Sequence, residues 1–375
     1  MSAQPPSSFF QRYLLPGFVF QSVVIAGGYG TGRELVEFFL KEGPVGGVLA
    51  IAVATAVWSA VCMASFEFAR VFGVYDYRTF FKRLLGRGWF LFEIIYVLLL
   101  LIVLAVVAAA AGQIALEIFG VSYWLGVAAV MAAIGLLDFG GTRVIEKALS
   151  VWSFVLYALY IMFFFWCFSR FGGDIVRTFG EAEAGWGWPL AGVRYAAYNL
   201  AVIPAVLFTL HHQRTRREAL GAGALAGVIA IVPGLLFFLA MVGRYPSILD
   251  APVPANVLLE ILGSRAFQIA FQVVLFGTLI ETGAGLIHAV NERIAHVWAE
   301  RGERLPEAVR PSVAIGLLIA GTVLSGFGLI DLIARGYGTL TWAFLFVFVI
   351  PVLTVGVWKI RTARAREAAA SVPMR

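Results

Sequence analysis

An acidic residue lies near the centre of a long apolar segment, where it could bind a cation or carry a proton. The segment is QVVLFGTLIETGAGLIHAVNERI, and Glu281 lies near its middle. A charged side chain at this depth in a bilayer costs about 2.5–3.5 kcal/mol, so it normally faces a cavity or a partner. Thr278 shares its helix face and Thr282 follows it, and both could offer hydroxyl oxygens to a cation. These three residues form the predicted ion-coupling site; the alternative is a structural acid bonded to a neighbouring helix.

Two coupling ions fit this acid. Burial favours the protonated form that a proton-coupled protein would use, whereas a bound Na⁺ would favour the carboxylate. The sequence leaves both ions open and predicts no other cofactor. Three glycines nearby, Gly277, Gly283 and Gly285, would let another helix approach closely. We expect that helix to be the first apolar segment of the chain, with its carbonyl groups facing Thr278 or Glu281.

That first segment, QSVVIAGGYGTGRELVEFF, has four glycines between positions 27 and 32. Each glycine costs a helix about 1 kcal/mol relative to alanine, and the bilayer offers no water to freed backbone groups. Thr31 and Glu34 have the T-x-x-E spacing of a capping box, which would restart the helix with its N–H groups pointing into the gap. A break with a solute site is predicted, and a packing kink is the alternative. The solute-binding residues expected here are Ala26, Gly27, Gly28, Tyr29, Gly30, Thr31 and Gly32.

A second interruption is predicted in YAAYNLAVIP, residues 195–204. Asn199 is a favoured helix cap, and Pro204 lacks a donor and suits the first turn of a new helix. Interruptions at matching positions of two halves indicate a transport site at the membrane midplane. Tyr195, Tyr198 and Asn199 are therefore expected to complete the solute site, and with Tyr29 the two tyrosines could occlude it or serve only packing. The alternative is a proline-kinked helix with one tolerated asparagine.

These residues lie in ten apolar segments. Hydrophobic residues make up 61% of the chain and charged residues 13%, with a mean hydropathy of +0.89, values typical of an all-α polytopic membrane protein. A crossing needs roughly 20 apolar residues. The segments, numbered here as spans 1 to 10, are about 13–40 (broken), 44–68, 90–118, 122–139, 143–169, 186–211, 215–243, 266–294, 309–327 and 338–360.

Each half has five spans, an odd number, so the second half begins on the side of the membrane opposite to the first. A structural repeat between the halves must therefore be inverted. We predict one transmembrane domain over 1–375, with five-helix repeats at 13–169 and 186–360 and a cytoplasmic tail at 361–375. Residues 75–89 are interpreted as an interfacial amphipathic helix or a basic loop. Residues 252–263 are interpreted as a short helix dipping onto the outer vestibule, or as an ordinary surface helix.

Charge predicts the orientation. If the N-terminus is cytoplasmic, twenty of the 28 Lys and Arg residues lie on that side, so the positive-inside rule places both termini in the cytoplasm of a cell inner (plasma) membrane. Because the net charge of +6 resides in short loops, nucleic acid is not an expected partner. The expected partners are a small-molecule solute and the lipid bilayer, and the oligomeric state is left open.

The remaining polar residues suggest less. An inner gate of ion pairs could form from Glu67, Arg70, His288, Glu292 and Arg293, although solvated helix ends are the more ordinary interpretation. The adjacent His211 and His212 would point apart on a helix, so no metal site is predicted. The sequence has no P-loop, nucleophile elbow or HExxH motif, and an enzyme is not expected.

Three stretches, AGGYGTGRE, EFARVFGVYDYRTFF and ETGAGLIHAVNER, resemble the YkvI-type family of predicted amino-acid permeases, in the amino acid–polyamine–organocation superfamily. The resemblance spans nearly the whole chain. It implies the LeuT-like fold with 5+5 inverted repeats, a solute held between spans 1 and 6, and cation-coupled alternating access. By position, it implies that residues 26–30 line the solute site with Tyr198 and Asn199, and that residues 278–282 face the coupling ion.

The expected function is secondary active transport of a small amino-acid-like or zwitterionic solute, coupled to Na⁺ or H⁺. The half-helix N-terminus at Thr31 and Gly32 would bind the anionic group of the solute through backbone N–H donors. The alternative is a membrane solute receptor or sensor that binds without net transport. A channel fits less well, because the polar residues cluster at one depth.

Overall fold

The chain folds into membrane-spanning helices. The computed structural model describes residues 8–370, except 26, 140, 141, 301 and 304, and no β-strand occurs in this part of the chain. Six of its helices are long and apolar enough to cross a membrane, and two shorter apolar helices accompany them. With the two interrupted spans, these helices make the predicted ten.

The observed bounds extend several predicted ones. The spans are Leu15–Val24, Gly27–Gly30 and Arg33–Phe38 (span 1), Gly43–Phe72 (2), Trp89–Phe119 (3), Tyr123–Phe139 (4), Thr142–Glu181 (5), Trp188–Asn199, Leu200–Ala205 and Leu207–His212 (6), Arg216–Val242 (7), Arg265–Glu300 (8), Val309–Ser325 (9), and 329–370 (10), which includes π-helical stretches and ends with Val357–Ala370. Helix therefore continues through most of the expected tail, of which residues 371–375 lie outside the described part.

Span 1 is broken as predicted. Its first helix ends where Ile25 leaves helical geometry (φ −75°, ψ 81°), a single turn follows at Gly27–Gly30, and Gly32 takes the left-handed conformation (φ +81°) before the helix restarts. A side chain at Gly32 would be strained, so glycine suits this turn.

The predicted capping box is wrong. Gly32, not Thr31, precedes the second half-helix, and it makes no side-chain capping bond. The Thr31 hydroxyl instead donates to the Gly28 carbonyl at 2.8 Å. Glu34 is thereby left free to reach another helix.

Span 6 is interrupted in a different way. Its α-helix ends at Asn199 and continues as two 3₁₀-helices, Leu200–Ala205 and Leu207–His212. The sequence predicted that Asn199 caps a new helix. It does not, because its side-chain amide donates back to the Tyr195 carbonyl at 3.1 Å. Pro204 lies inside the first 3₁₀-helix instead of starting a new one. The span therefore tightens where span 1 comes apart.

Two short helices occupy corresponding places in the two halves. Tyr77–Leu85 lies between spans 2 and 3; the Asp76 carboxylate caps it by accepting from the Thr79 amide at 2.9 Å. Pro254–Leu262 lies between spans 7 and 8 and buries Leu258 and Leu259. Both segments are therefore helices packed against the protein, as inverted halves require.

The spans form two packed groups. Spans 1, 2, 6 and 7 contact one another, and spans 3, 4, 8 and 9 form a second set. Small residues bring spans 2 and 7 together: side chains at Gly223 and Gly227 would clash with Met63 and Ser59. Close approach through glycine is the usual way for helices to associate in membranes. The functional residues lie between the two groups.

Candidate functional site

A cavity of about 870 Å³ lies between the two groups of spans. It touches both sides of the break in span 1 and the point in span 6 where α-helix changes to 3₁₀-helix. Most of its wall is apolar. The polar side chains that line it are Ser22, Glu34, Tyr96, Tyr157, Tyr198, Asn199, Thr278, Glu281, Thr282 and Tyr337.

Glu34 is the most enclosed acid in this wall. It is 2% exposed, and the Tyr198 hydroxyl donates to its Oε2 at 2.5 Å. The ring of Tyr337 stacks on that of Tyr198, with centroids 4.8 Å apart. A side chain at Gly28 would collide with the Glu34 carboxylate. This glycine therefore leaves room for the acid to fold back over the broken turn.

The T-x-x-E spacing predicted only a capping role for Glu34, and its place in the cavity was not predicted. The available signal was an acid at membrane depth, which is normally matched to a cavity or partner. That reasoning was applied to Glu281 and applies equally to Glu34.

Glu281 lies in the wall of the same cavity, as do Thr278 and Thr282. In the described part of the chain its carboxylate has no hydrogen-bond or ion-pair partner, so the structural-acid alternative gains no support. Thr278 is buried, and its hydroxyl donates to the Val274 carbonyl of its own helix at 3.0 Å. The threonine's oxygen lone pairs stay available to a cation, because donating uses only its hydrogen.

Span 8 does approach the break in span 1, but not through its own glycines. A methyl group at Gly27 would lie 2.6 Å from Leu279 Cδ2, and one at Gly30 would lie 2.7 Å from Leu275 Cδ1. Glycines of span 1 thus accept leucines of span 8. The expected role of Gly283 is wrong, because it packs against Ile134 of span 4.

The other residues predicted to bind the solute, in spans 1 and 6, are buried but do not line the cavity. This group is Gly27, Gly28, Tyr29, Gly30, Thr31, Gly32 and Tyr195. Ala26 lies outside the described residues. Tyr29 packs against Gly234 of span 7, so it faces away from the cavity.

The expected anion site at Thr31 and Gly32 is contradicted by the backbone. The Thr31 amide donates to the Gly27 carbonyl at 3.1 Å, and the Gly32 amide donates to the Tyr29 carbonyl at 2.9 Å. These are the hydrogen bonds of a retained helical turn. The glycine run keeps one closed turn, and that turn occupies the two amide donors that the sequence predicted for a carboxylate.

The cavity lies on the side of the protein that holds the N-terminus. Its wall includes residues before the break in span 1, residues after the break in span 6, and the second half of span 8 from Glu281 to Ala289. Successive spans alternate in direction, so all these positions lie on one side of the midplane. Phe208, 60% exposed, and Val23, also exposed, line the rim. This end of the cavity wall therefore reaches the protein surface.

The opposite end is sealed by Arg33, which is 1% exposed. Its Nη1 donates to the carbonyls of Leu249 and Ala251, at 2.6 and 3.0 Å, and its Nη2 pairs with Glu37 at 3.2 Å. The Ala255 amide also donates to the Thr31 carbonyl at 3.0 Å. These bonds tie the second half of span 1 to the connection between spans 7 and 8.

Aromatic rings complete this seal. Phe38 stacks on Tyr198 at 5.4 Å between centroids, and Phe39 packs against Tyr195 at 4.5 Å. With Tyr337 these four residues form what we call the aromatic plug, which lies next to Glu34. Tyr195 and Tyr198 therefore occupy the closed side of the cavity.

The five predicted inner-gate residues do not form one network. Glu67 pairs with Arg70 at 2.8 Å and with Arg364 of span 10. The other ion pairs are Arg293 with Glu93 at 3.5 Å and Glu292 with Arg310 at 2.8 Å, and His288 is partly buried. Among the described residues, the ends of spans 2 and 8 on the N-terminal side are thus tied to different neighbours.

The adjacent histidines lie closer together than a helix would place them. The centroids of the His211 and His212 rings are 3.9 Å apart. In the described part of the chain, no group of three or more His, Cys, Asp or Glu side chains could hold a metal ion.

Ten spans with discontinuities in the first and sixth, in two halves with matching short helices, define a multi-pass membrane protein of the LeuT-like fold. The chain is 24% identical over 288 residues to the uncharacterized membrane protein YkvI of Bacillus subtilis (strain 168), covering 74% of this chain and 79% of that protein. The predicted resemblance is thereby confirmed. No protein-family model matches the chain.

Similarity to a solved structure supports the fold. MhsT in complex with L-phenylalanine aligns with a TM-score of 0.58 at 13% identity, over 96% of this chain and 98% of MhsT. A substrate-bound, outward-open Na⁺-coupled sialic acid symporter aligns with a TM-score of 0.49 at 13% identity, over 98% and 99% of the two chains. At such identities the MhsT match shows the fold alone.

Proposed function

We propose that this protein is a cation-coupled secondary transporter of a small organic solute, working by alternating access. The observation that carries the proposal is the midplane cavity, which reaches the surface on the N-terminal side and is closed on the other side by Arg33 and the aromatic plug. A transporter needs such a site with one face open at a time. With the N-terminus in the cytoplasm of the inner membrane, the structure corresponds to an inward-facing state.

The packing of the spans supports the proposed motion. Spans 1 and 6 belong to one packed group and spans 3 and 8 to the other, and the cavity wall draws on both. Rocking one group against the other around a fixed site would close the open end. The same motion would part Arg33 from the carbonyls of Leu249 and Ala251, opening the other end.

Glu281, Thr278 and Thr282 are the proposed coupling-ion residues. An acid in a midplane cavity without a protein partner can take up either a proton or a hydrated cation. Two threonine hydroxyls beside it would supply neutral oxygen ligands to Na⁺. Binding of either ion would remove the uncompensated negative charge and so permit occlusion of the site.

The test is accumulation in proteoliposomes containing the purified full-length chain. Uptake of radiolabelled amino acids and organic amines would be measured under an inward Na⁺ gradient, an inward proton gradient, and no gradient. Gradient-dependent accumulation that an ionophore abolishes is the expected result. Saturable binding without accumulation under either gradient would overturn the proposal and favour a receptor.

A further inference from the structure

We infer that the cavity selects its solute by a cationic amine, and that Glu34 is the residue that binds it. This inference rests on the proposed function, since it names the solute class of the same site. The sequence expectation was a zwitterion whose carboxylate would meet the half-helix N-terminus. In the structure the Thr31 and Gly32 amides are already hydrogen-bonded within the chain, and two acids line the cavity instead.

The charge of the cavity wall favours a cationic solute. Two carboxylates, Glu34 and Glu281, line it, and no Lys, Arg or His side chain does so among the described residues. A solute carboxylate entering this wall would find two like charges and no compensating cation. An ammonium group would find the opposite sign at both acids.

The partners of Glu34 carry the second step. Its neighbour Arg33 does not contact it, because the Arg33 guanidinium donates to the Leu249 and Ala251 carbonyls and pairs with Glu37. The hydrogen-bond partner found for Glu34 within the described residues is the Tyr198 hydroxyl, which reaches only Oε2. Oε1 lies over Gly28. A buried carboxylate with one neutral donor is under-compensated, and an ammonium would add both charge and donors.

The remainder of the wall indicates the rest of the solute. It presents aliphatic side chains from spans 1 and 3, including Val24, Leu99 and Val103, and aromatic rings next to Glu34. Rings of this kind attract a desolvated ammonium and also pack against hydrocarbon. The class of solute is therefore an amine with an apolar aliphatic or aromatic body and no carboxylate.

A matched ligand series tests this inference on the wild-type protein. Phenethylamine, phenylalanine and 3-phenylpropionate share one ring and differ in charge. Each would be titrated calorimetrically into the full-length protein in phosphatidylcholine nanodiscs, with empty nanodiscs as blanks. We expect phenethylamine to bind about tenfold or more tighter than phenylalanine, and 3-phenylpropionate not to bind. Equal or tighter binding of phenylalanine, or failure of the amine to bind, would overturn the inference.

Variants then locate the amine. Glu34→Gln should weaken phenethylamine binding about thirtyfold or more, because removing one partner of a buried charge pair leaves the other uncompensated. Glu260→Gln, the same change on an exposed residue of the short outer helix, should leave it unchanged. Tyr198→Phe provides a second readout should Glu34→Gln fold poorly, and should weaken binding by a smaller factor. Unchanged affinity in a folded Glu34→Gln protein would contradict the assignment.

These measurements separate this inference from the proposed function. Binding in nanodiscs needs no transport, so an amine that binds through Glu34 but is never accumulated would leave the inference intact and overturn the transporter. Gradient-driven accumulation of phenylalanine with no binding of phenethylamine would do the reverse.

Discussion

Spans 1 and 6 are both interrupted at the midplane, but by opposite means. Span 1 uses glycine: the helix stops at Ile25, makes one isolated turn, and restarts after the left-handed Gly32. Span 6 has no glycine at its interruption and tightens into 3₁₀-helix around Pro204. The first break changes the direction of the chain, whereas the second changes only its helical pitch.

This difference determines what each span contributes to the cavity. The left-handed turn at Gly32 lets Glu34 fold back over Gly28, and the small glycine surface admits Leu275 and Leu279 of span 8. Span 6 keeps its backbone bonded and contributes side chains, Tyr198 and Asn199. The backbone geometry of span 1 should therefore be critical, and that of span 6 should be tolerant.

Gly28→Ala should have the largest effect. The added methyl group would clash with Glu34 Oε1, so the carboxylate must shift and its hydrogen bond to Tyr198 is disturbed. We expect solute affinity to fall about thirtyfold or more, as if the charge partner were lost. Binding in nanodiscs measures this, with Gly316→Ala as the control, because a side chain there meets open space. Wild-type affinity in Gly28→Ala would contradict the proposed packing of Glu34 over Gly28.

Arg33→Ala should shift the protein away from the inward-facing state. The change removes the bonds to Leu249, Ala251 and Glu37 that close the outer end. In a variant lacking the native cysteines and carrying Asn199→Cys, which lies in the cavity wall at the break of span 6, an impermeant maleimide added on the Arg33 side should label the cysteine about tenfold faster.

Arg33→Lys provides the comparison for this measurement, because it keeps the charge but cannot reach two carbonyls and Glu37 together. Labelling at an intermediate rate is expected. If Arg33→Ala is labelled no faster than the parent, Arg33 does not hold the outer end closed.

The sequence predicted the arrangement of the spans and the position of both breaks, because hydrocarbon length and glycine or proline content are local properties. It did not predict the partners of individual side chains. Thr31 and Glu34 matched a capping box, yet the tertiary contact between Glu34 and Tyr198, residues separated by half the chain, outweighed the local bond. The direction of the Thr31 and Gly32 amides likewise depended on whether the glycine run would unwind fully or keep one turn.

Glu281→Gln should uncouple uptake from its driving ion while leaving solute binding nearly intact. Glu34 and Glu281 line one cavity, but the roles proposed for them are separate. We expect uptake that no longer responds to a Na⁺ or proton gradient, and solute affinity within about twofold of the wild type. Glu307→Gln, on an exposed loop, is the matched control. Gradient-dependent uptake that survives Glu281→Gln would remove this residue from the coupling site.

Pro204→Ala should have the smallest effect and so tests the comparison between the spans most directly. Alanine restores a backbone donor and permits α-helix where span 6 is now 3₁₀, which stabilises a helix interior by up to about 3 kcal/mol. Because the polar side chains that span 6 contributes to the cavity wall, Tyr198 and Asn199, come before this point, uptake should change by about twofold or less, while the unfolding temperature rises. Pro233→Ala, inside the α-helix of span 7, controls for loss of a proline. If Pro204→Ala abolished binding as Gly28→Ala is expected to, the backbone of span 6 would matter as much as that of span 1, and the distinction between the two breaks would fail.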